Sequence, residues 1–110
     1  YNACDFTVLP SCKELLPFSV VESFACGKPA LHSFPQNIRD YGGDRYASIY
    51  VRYGDVKKLA QEMTFLLRNP DVRLKMGENC LEVVRRQFDL NVVSRKLVEV
   101  YGNCLGSGRT

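Results

Sequence analysis

Residues 5–34 constrain this chain more than any other stretch. Two short apolar runs, "DFTVLP" (5–10) and "KPALHSF" (28–34), flank "PFSVVESFACG" (17–27). The runs are rich in β-branched and aromatic residues and are bounded by proline, which predicts buried strands. The segment between them predicts a helix. Pro17 suits the first helical position, where a missing N–H costs nothing, and Gly27 suits the C-terminal cap. At about 100° per residue, Val20, Val21, Phe24 and Ala25 gather on one face to meet a sheet. Ser19, Glu22, Ser23 and Cys26 gather on the other. Strand, helix and strand in so short a span require a parallel pair joined by a right-handed crossover.

The remainder extends this α/β pattern. A polar, Gly-rich connection, "PQNIRDYGGDRY" (35–46), with turn chemistry at Gly42-Gly43-Asp44, leads to a third strand, "ASIYV" (47–51). Asp55 is placed to cap a helix with Val56, Leu59, Ala60, Met63, Leu66 and Leu67 as its apolar stripe. Asn69-Pro70 ends that helix and starts another, running to about Phe88 with Gly77 as an expected break. Asp89 caps a last helix through roughly Tyr101, with Val92, Val93, Leu97 and Val100 expected inward. The tail at 106–110, "GSGRT", reads as disordered. The expected fold is therefore a Rossmann-like partial parallel sheet of about three strands followed by three helices. A sheet that thin leaves an edge that wants a neighbour.

Composition excludes several classes. With 110 residues, 45% of them hydrophobic and 25% charged, the chain suits one modest soluble core. No apolar run approaches the ~20 residues that span a bilayer. A net charge of +3 is mild, and its excess cations alternate with acids in 73–96, as on a solvated helical surface. No aromatic-rich basic stripe accompanies them, so nucleic acid is not an expected partner. Five scattered cysteines without a Cys-x-x-Cys pattern predict reduced, mostly buried thiols in a cytoplasmic setting rather than a metal site. The chain starts at Tyr1 without a signal-peptide pattern, which reads as a fragment of something longer.

The chemistry concentrates in 10–22. In open parallel sheets, ligands sit beyond the carboxyl ends of the strands, at helix N-termini. The free N–H groups there carry about half a positive charge and invite an anion. Leu16, Phe18 and Ser19 have such amides to offer; Pro17 does not. A diphosphate is the natural guest. Glu14, just ahead of that position, and Glu22, about a turn inside the helix, would repel phosphate and need another task. An ionised carboxylate only accepts hydrogen bonds, and a vicinal diol supplies two donors it can match. Two such acids fit a sugar and a ribose on either side of a diphosphate. Each glutamate taken singly is also what a solvated helix face or a helix-dipole partner carries.

These residues stand in an order that resembles the retaining glycosyltransferases of the GT-B fold, the glycosyl transferases group 1 family. That pattern is an apolar strand ending in Pro-Ser, then Glu, seven residues and Glu, then a small-residue, Gly, x, Pro passage. Here it reads "DFTVLPS" (5–11), Glu14, Glu22 and "ACGKP" (25–29), and the likeness continues through 53–67, 69–80 and 88–101. The resemblance implies the second half of a GT-B C-terminal, donor-binding domain, over 1–105. It implies that Glu22 binds the ribose hydroxyls, that Glu14 contacts the transferred sugar as the catalytic-site acid, and that Leu16 to Ser19 present amides to sugar and phosphates. The implied donor is a UDP- or GDP-linked sugar, transferred to an unidentified acceptor with retention and with no metal or cofactor. The implied partner is a missing N-terminal half carrying the cations that neutralise the diphosphate, without which the fragment is expected to be inactive. Peripheral contact with the cytosolic face of a membrane stays open. The chain departs from the pattern at Leu15, where the family usually has Gly, and at Gln36-Asn37, where a Gly-Gly pair is common.

Two other readings compete. One is a degenerate, non-catalytic GT-B-like domain kept for binding or assembly, which Leu15 favours. The other is an unrelated α/β module such as a signalling receiver domain, whose acidic cluster and late lysine are not evident. His32, the one histidine, is expected to be half-buried and hydrogen-bonded rather than catalytic.

Overall fold

The computed structural model describes residues 1–35 and 41–106. Strands β1 (Thr7–Leu9), β2 (Ala30–His32) and β3 (Ser48–Tyr50) form one parallel sheet in the order β1-β2-β3. Thr7 pairs with Ala30, which pairs with Ser48, so the three strands run in step. Helix α1 (Phe18–Ala25) joins β1 to β2, and α2 (Val56–Arg68), α3 (Pro70–Gln87) and α4 (Leu90–Gly106) follow. Each strand is three residues long, shorter than the apolar runs that encode it. Of the residues flanking them, Ser33, Phe34, Ala47 and Val51 are buried, whereas Phe6 is half-covered and Pro10 exposed.

Side chains alternate across the strands and split the core in two. Ala30 and Phe34 meet Val20 and Phe24 of α1, together with Tyr41, Cys80 and Val83. Leu31, Ile49 and Val51 meet Leu66 of α2 and Met76 of α3. Helix α3 thus touches both clusters and holds α1 and α2 on the sheet.

Five expectations about these elements are corrected. Ser23 of α1 is buried and Ala25 is exposed, the reverse of the expected faces. A two-turn helix wedged between sheet and α3 is turned by both neighbours. Ser23 fits inside because its hydroxyl accepts from Thr7 Oγ1 and donates to Lys28 O, each at 2.9 Å. On α2, Val56, Ala60 and Leu67 face solvent, while Glu62 is buried beside Leu66. Gly77 does not break α3, which runs unbroken for 18 residues. Helix α4 extends past Tyr101 to Gly106, and none of its residues is buried: Val92 is half-covered and Val93, Leu97 and Val100 are exposed. The cysteines are free but not mostly buried. Cys80 is inside, Cys4 and Cys26 are half-covered, and Cys12 and Cys104 are exposed. The tail beyond Gly106 and the Gln36-Asn37 pair lie outside the described residues.

The buried Glu62 has a physical reason. Its Oε1 accepts from Lys58 Nζ at 2.7 Å and from Arg45 Nη2. Burial raises this carboxyl's pKa, but those two cations outweigh it and hold the group below the usual range. Arg45 also lies over the Phe65 ring, 5.5 Å from its centre. It keeps a left-handed φ of 63° while its N–H donates to Ser48 O at 2.7 Å. The turn before β3 is thereby tied to α2. Replacing Glu62 with Ala should cost about 1–2 kcal/mol in urea denaturation. The loss stays modest because the exposed parts of Arg45 and Lys58 regain water.

Among the described residues, no helix is long and apolar enough to cross a membrane.

Candidate functional site

The β1–α1 loop lies at the carboxyl end of the sheet, where β1 stops at Leu9 and α1 begins at Phe18. Pro17 is the N-cap, extended at φ −75° and ψ 96°, and it offers no side-chain cap. Its carbonyl accepts from Val20 N at 3.0 Å and Val21 N at 3.3 Å. Among the described residues, the amides of Leu16, Phe18 and Ser19 meet no acceptor. Open donors at the positive end of a helix are what an anion requires.

Around this tip the loop exposes apolar side chains. Leu15 is 98% exposed and Phe18 69% exposed, while Pro17 is buried beneath them. Glu14 is half-buried, and among the described residues its carboxylate takes no hydrogen bond or ion pair. A partly desolvated acid without a partner is free to accept from a ligand.

Glu22 is exposed on α1, as its helical phase predicts, and Oε2 accepts a hydrogen bond from Tyr1 OH at 2.9 Å. Accepting that bond, Glu22 holds the phenol above the usual tyrosine range, with burial and the carboxylate's charge adding to it. Tyr1, Thr7, Leu9, Ser19 and Val20 are among the walls of a cavity of about 340 Å³ beside the open edge of β1. The structure thus joins Ser19 and Tyr1 in one wall, with Glu22 held by the same phenol. Glu14 and Leu16 stand on the loop and Phe18 opens α1, and none of the three lines that cavity. Tyr1 was missed in the sequence. It lies 21 residues before its partner, and no periodicity links the two.

His32 takes no part in the site. It is fully rather than half buried, with Nδ1 donating to Phe34 O and Nε2 accepting from Ser48 Oγ, each at 3.0 Å. Its ring stacks on Phe34 at 4.3 Å between centroids. Burial lowers its pKa to about 4, although the Phe34 carbonyl and Asp44 pull the other way. The folded chain therefore holds a neutral ring where the unfolded chain, near 6.5, takes a proton. Stability is full above about pH 6.5 and falls as the pH drops toward 4. Between pH 7 and pH 5 the loss should be roughly 2 kcal/mol in urea denaturation. His32→Phe should flatten that part of the profile.

With the strand-end loop, open helix tip and two glutamates in place, comparison with known proteins becomes specific. The sequence profile of the family described as glycosyl transferases group 1 matches residues 1–83, from Tyr1 through the site into α3. This chain belongs to that family. A curated relative, the N,N'-diacetylbacillosaminyl-diphospho-undecaprenol alpha-1,3-N-acetylgalactosaminyltransferase of Campylobacter jejuni, is 30% identical over 98 residues. That match covers 89% of this chain and 26% of the relative. Among solved structures, sucrose-phosphate synthase from Thermosynechococcus elongatus superposes with a TM-score of 0.87 at 22% identity. It covers 96% of this chain and 27% of the synthase chain, and it shows the same fold. The chain thus spans about a quarter of the length of each protein it matches. The group 1 chain has the expected α/β architecture, a three-stranded parallel sheet followed by three helices, as in part of a GT-B glycosyltransferase.

Proposed function

We propose that residues 1–105 form the C-terminal part of the donor-binding domain of a retaining glycosyltransferase, acting within a longer chain. Glu22 accepts from the ribose hydroxyls of a UDP- or GDP-linked sugar. Glu14 accepts from hydroxyls of the transferred sugar, and the amides of Leu16, Phe18 and Ser19 receive the diphosphate side. The observation that carries this reading is the pairing of a helix tip and a half-buried Glu14 directly ahead of it, both without partners among the described residues. As the sugar leaves with its bond to oxygen breaking, negative charge grows on the diphosphate. Fixed amides aimed at that charge stabilise the transition state more than the ground state. Cations from the rest of the protein complete the neutralisation, so the 110 residues alone bind without turning over. The Campylobacter relative is named for transfer onto a sugar carried by diphospho-undecaprenol. An acceptor of that lipid-linked class is consistent with peripheral contact at a membrane surface.

Thermal denaturation with UDP, GDP, their 2′-deoxy forms and inorganic diphosphate tests the reading. One ribonucleotide should stabilise the protein, by about 2.7 kcal/mol at a hundredfold excess over its Kd. The deoxy form should stabilise less, and diphosphate alone least. Equal shifts for ribose and deoxyribose would remove Glu22 from the site.

A second reading, a non-catalytic relative, is favoured by Leu15, which puts a side chain where the family usually has Gly, next to Glu14. Absence of any nucleotide-dependent shift in the full-length protein decides for it.

A further inference from the structure

An exposed glutamate on a helix samples several side-chain rotamers, and gripping a diol requires that it stop in one. Glu22 has already stopped. The Tyr1 phenol donates to Oε2 at 2.9 Å, and Tyr1 is itself anchored. Its carbonyl accepts from Cys4 N at 3.1 Å and from Cys4 Sγ at 3.0 Å, which closes a turn onto the sheet ahead of β1. Its ring forms part of the cavity wall that includes Ser19 and Val20 of the first turn of α1. Among the described residues, a side-chain hydrogen bond between residues 1 and 22 therefore joins the segment before β1 to helix α1.

An ionised carboxylate offers about four lone-pair positions on two oxygens. The phenol occupies one of them. Among the described residues Oε1 takes no hydrogen bond and Oε2 keeps a second lone pair, enough acceptors on an exposed side chain for both hydroxyls of a vicinal diol. We propose that Tyr1 is a positioning residue: it fixes the Glu22 carboxylate in the orientation that receives the ribose diol of the donor nucleotide. This inference rests on the donor-site reading above and adds to it a residue outside the Glu14–Glu22 span.

The arrangement has a competing consequence with the opposite sign. A phenol that held the very position needed by a ribose hydroxyl would have to leave before the nucleotide bound. Removing it would then strengthen binding. Positioning predicts weaker binding.

The test uses the full-length protein with Tyr1→Phe, Glu22→Ala and the double variant, and measures Kd by calorimetry for UDP, GDP and their 2′-deoxy and 3′-deoxy forms. Phenylalanine keeps the ring and the cavity wall, and an unchanged thermal midpoint verifies that the fold is kept. Tyr1→Phe should weaken the preferred ribonucleotide roughly tenfold. It should affect the deoxy forms much less and add nothing in the Glu22→Ala background. In turnover it should act on the donor KM rather than on kcat. Tighter binding, no change, or an equal loss for ribose and deoxyribose forms would each overturn the role of Tyr1. If Glu22→Ala itself leaves every affinity unaltered, the donor-site reading is what fails, and that result stands apart from any outcome at Tyr1.

Discussion

Glu22→Ala should weaken nucleotide binding by about 30- to 100-fold while leaving the fold untouched. The size follows from two charge-assisted hydrogen bonds to a diol, each worth about 1.5–3 kcal/mol when formed. Glu22 is exposed, so water competes and the lower end applies. Two bonds at that end sum to about 3 kcal/mol, and competition from water brings the net loss to roughly 2–2.7 kcal/mol, which is the stated range of affinity. Glu22→Gln keeps the shape and one acceptor oxygen but loses the charge, and should fall between Ala and the native residue. Because this exposed side chain makes one hydrogen bond, to the Tyr1 phenol, among the described residues, the thermal midpoint of either variant should lie within about a degree of the native one. Calorimetric titration with UDP and GDP measures the affinity. A loss below threefold would mean that this carboxylate does not hold the nucleotide.

The largest stability effect is expected at Gly77. A β-carbon built there would sit 2.4 Å from the carbonyl oxygen of Gly27, closer than real atoms approach. Both partners are backbone, one inside α3 and the other in the turn that ends α1, so neither has a flexible end to swing away. Alanine is the better helix former by about 1 kcal/mol, which favours the substitution. The clash wins, because relieving it means moving α3 away from α1 and opening the core around Val20, Phe24 and Cys80. Overpacking of that kind costs about 3 kcal/mol, occasionally more. In a domain of this size that is a large part of the whole stability. Gly102 supplies the control. It lies in α4 with nothing within 4 Å of its would-be β-carbon. Gly102→Ala gains the same helix propensity without a clash and should be neutral or stabilising by up to about 1 kcal/mol. Urea midpoints of the two variants should therefore move in opposite directions.

Gly77 also shows where reading a sequence stops short. A glycine in the middle of a helical pattern predicts a break, because the residue disfavours the helix locally. Here the helix is continuous, since contact between α3 and the end of α1 outweighs that preference and requires the absent side chain. Glu62 follows the same logic. Its charge reads as solvent-facing, and it is buried because Arg45, 17 residues earlier, and Lys58 reach it. Helix α4 errs in the other direction. Its apolar stripe was legible in Val93, Leu97 and Val100, but amphipathicity tells which face wants cover, not what covers it. That Leu16, Phe18, Ser19 and the two glutamates stand between a strand end and the first turns of a helix was legible, because ordered spacing is local information. Their part in donor binding is what the nucleotide titrations test.

The chain's own residues settled the strand–helix–strand crossover, the proline and aspartate helix starts, and the outward position of Glu22. All of these follow from periodicity and from signals within a few neighbours. The tertiary structure alone decided that Tyr1 meets Glu22, that Ser23 and Glu62 go inside, and that Gly27 and Gly77 touch. Those contacts join residues distant in sequence, and the direction each side chain takes is set by what stands opposite it in space.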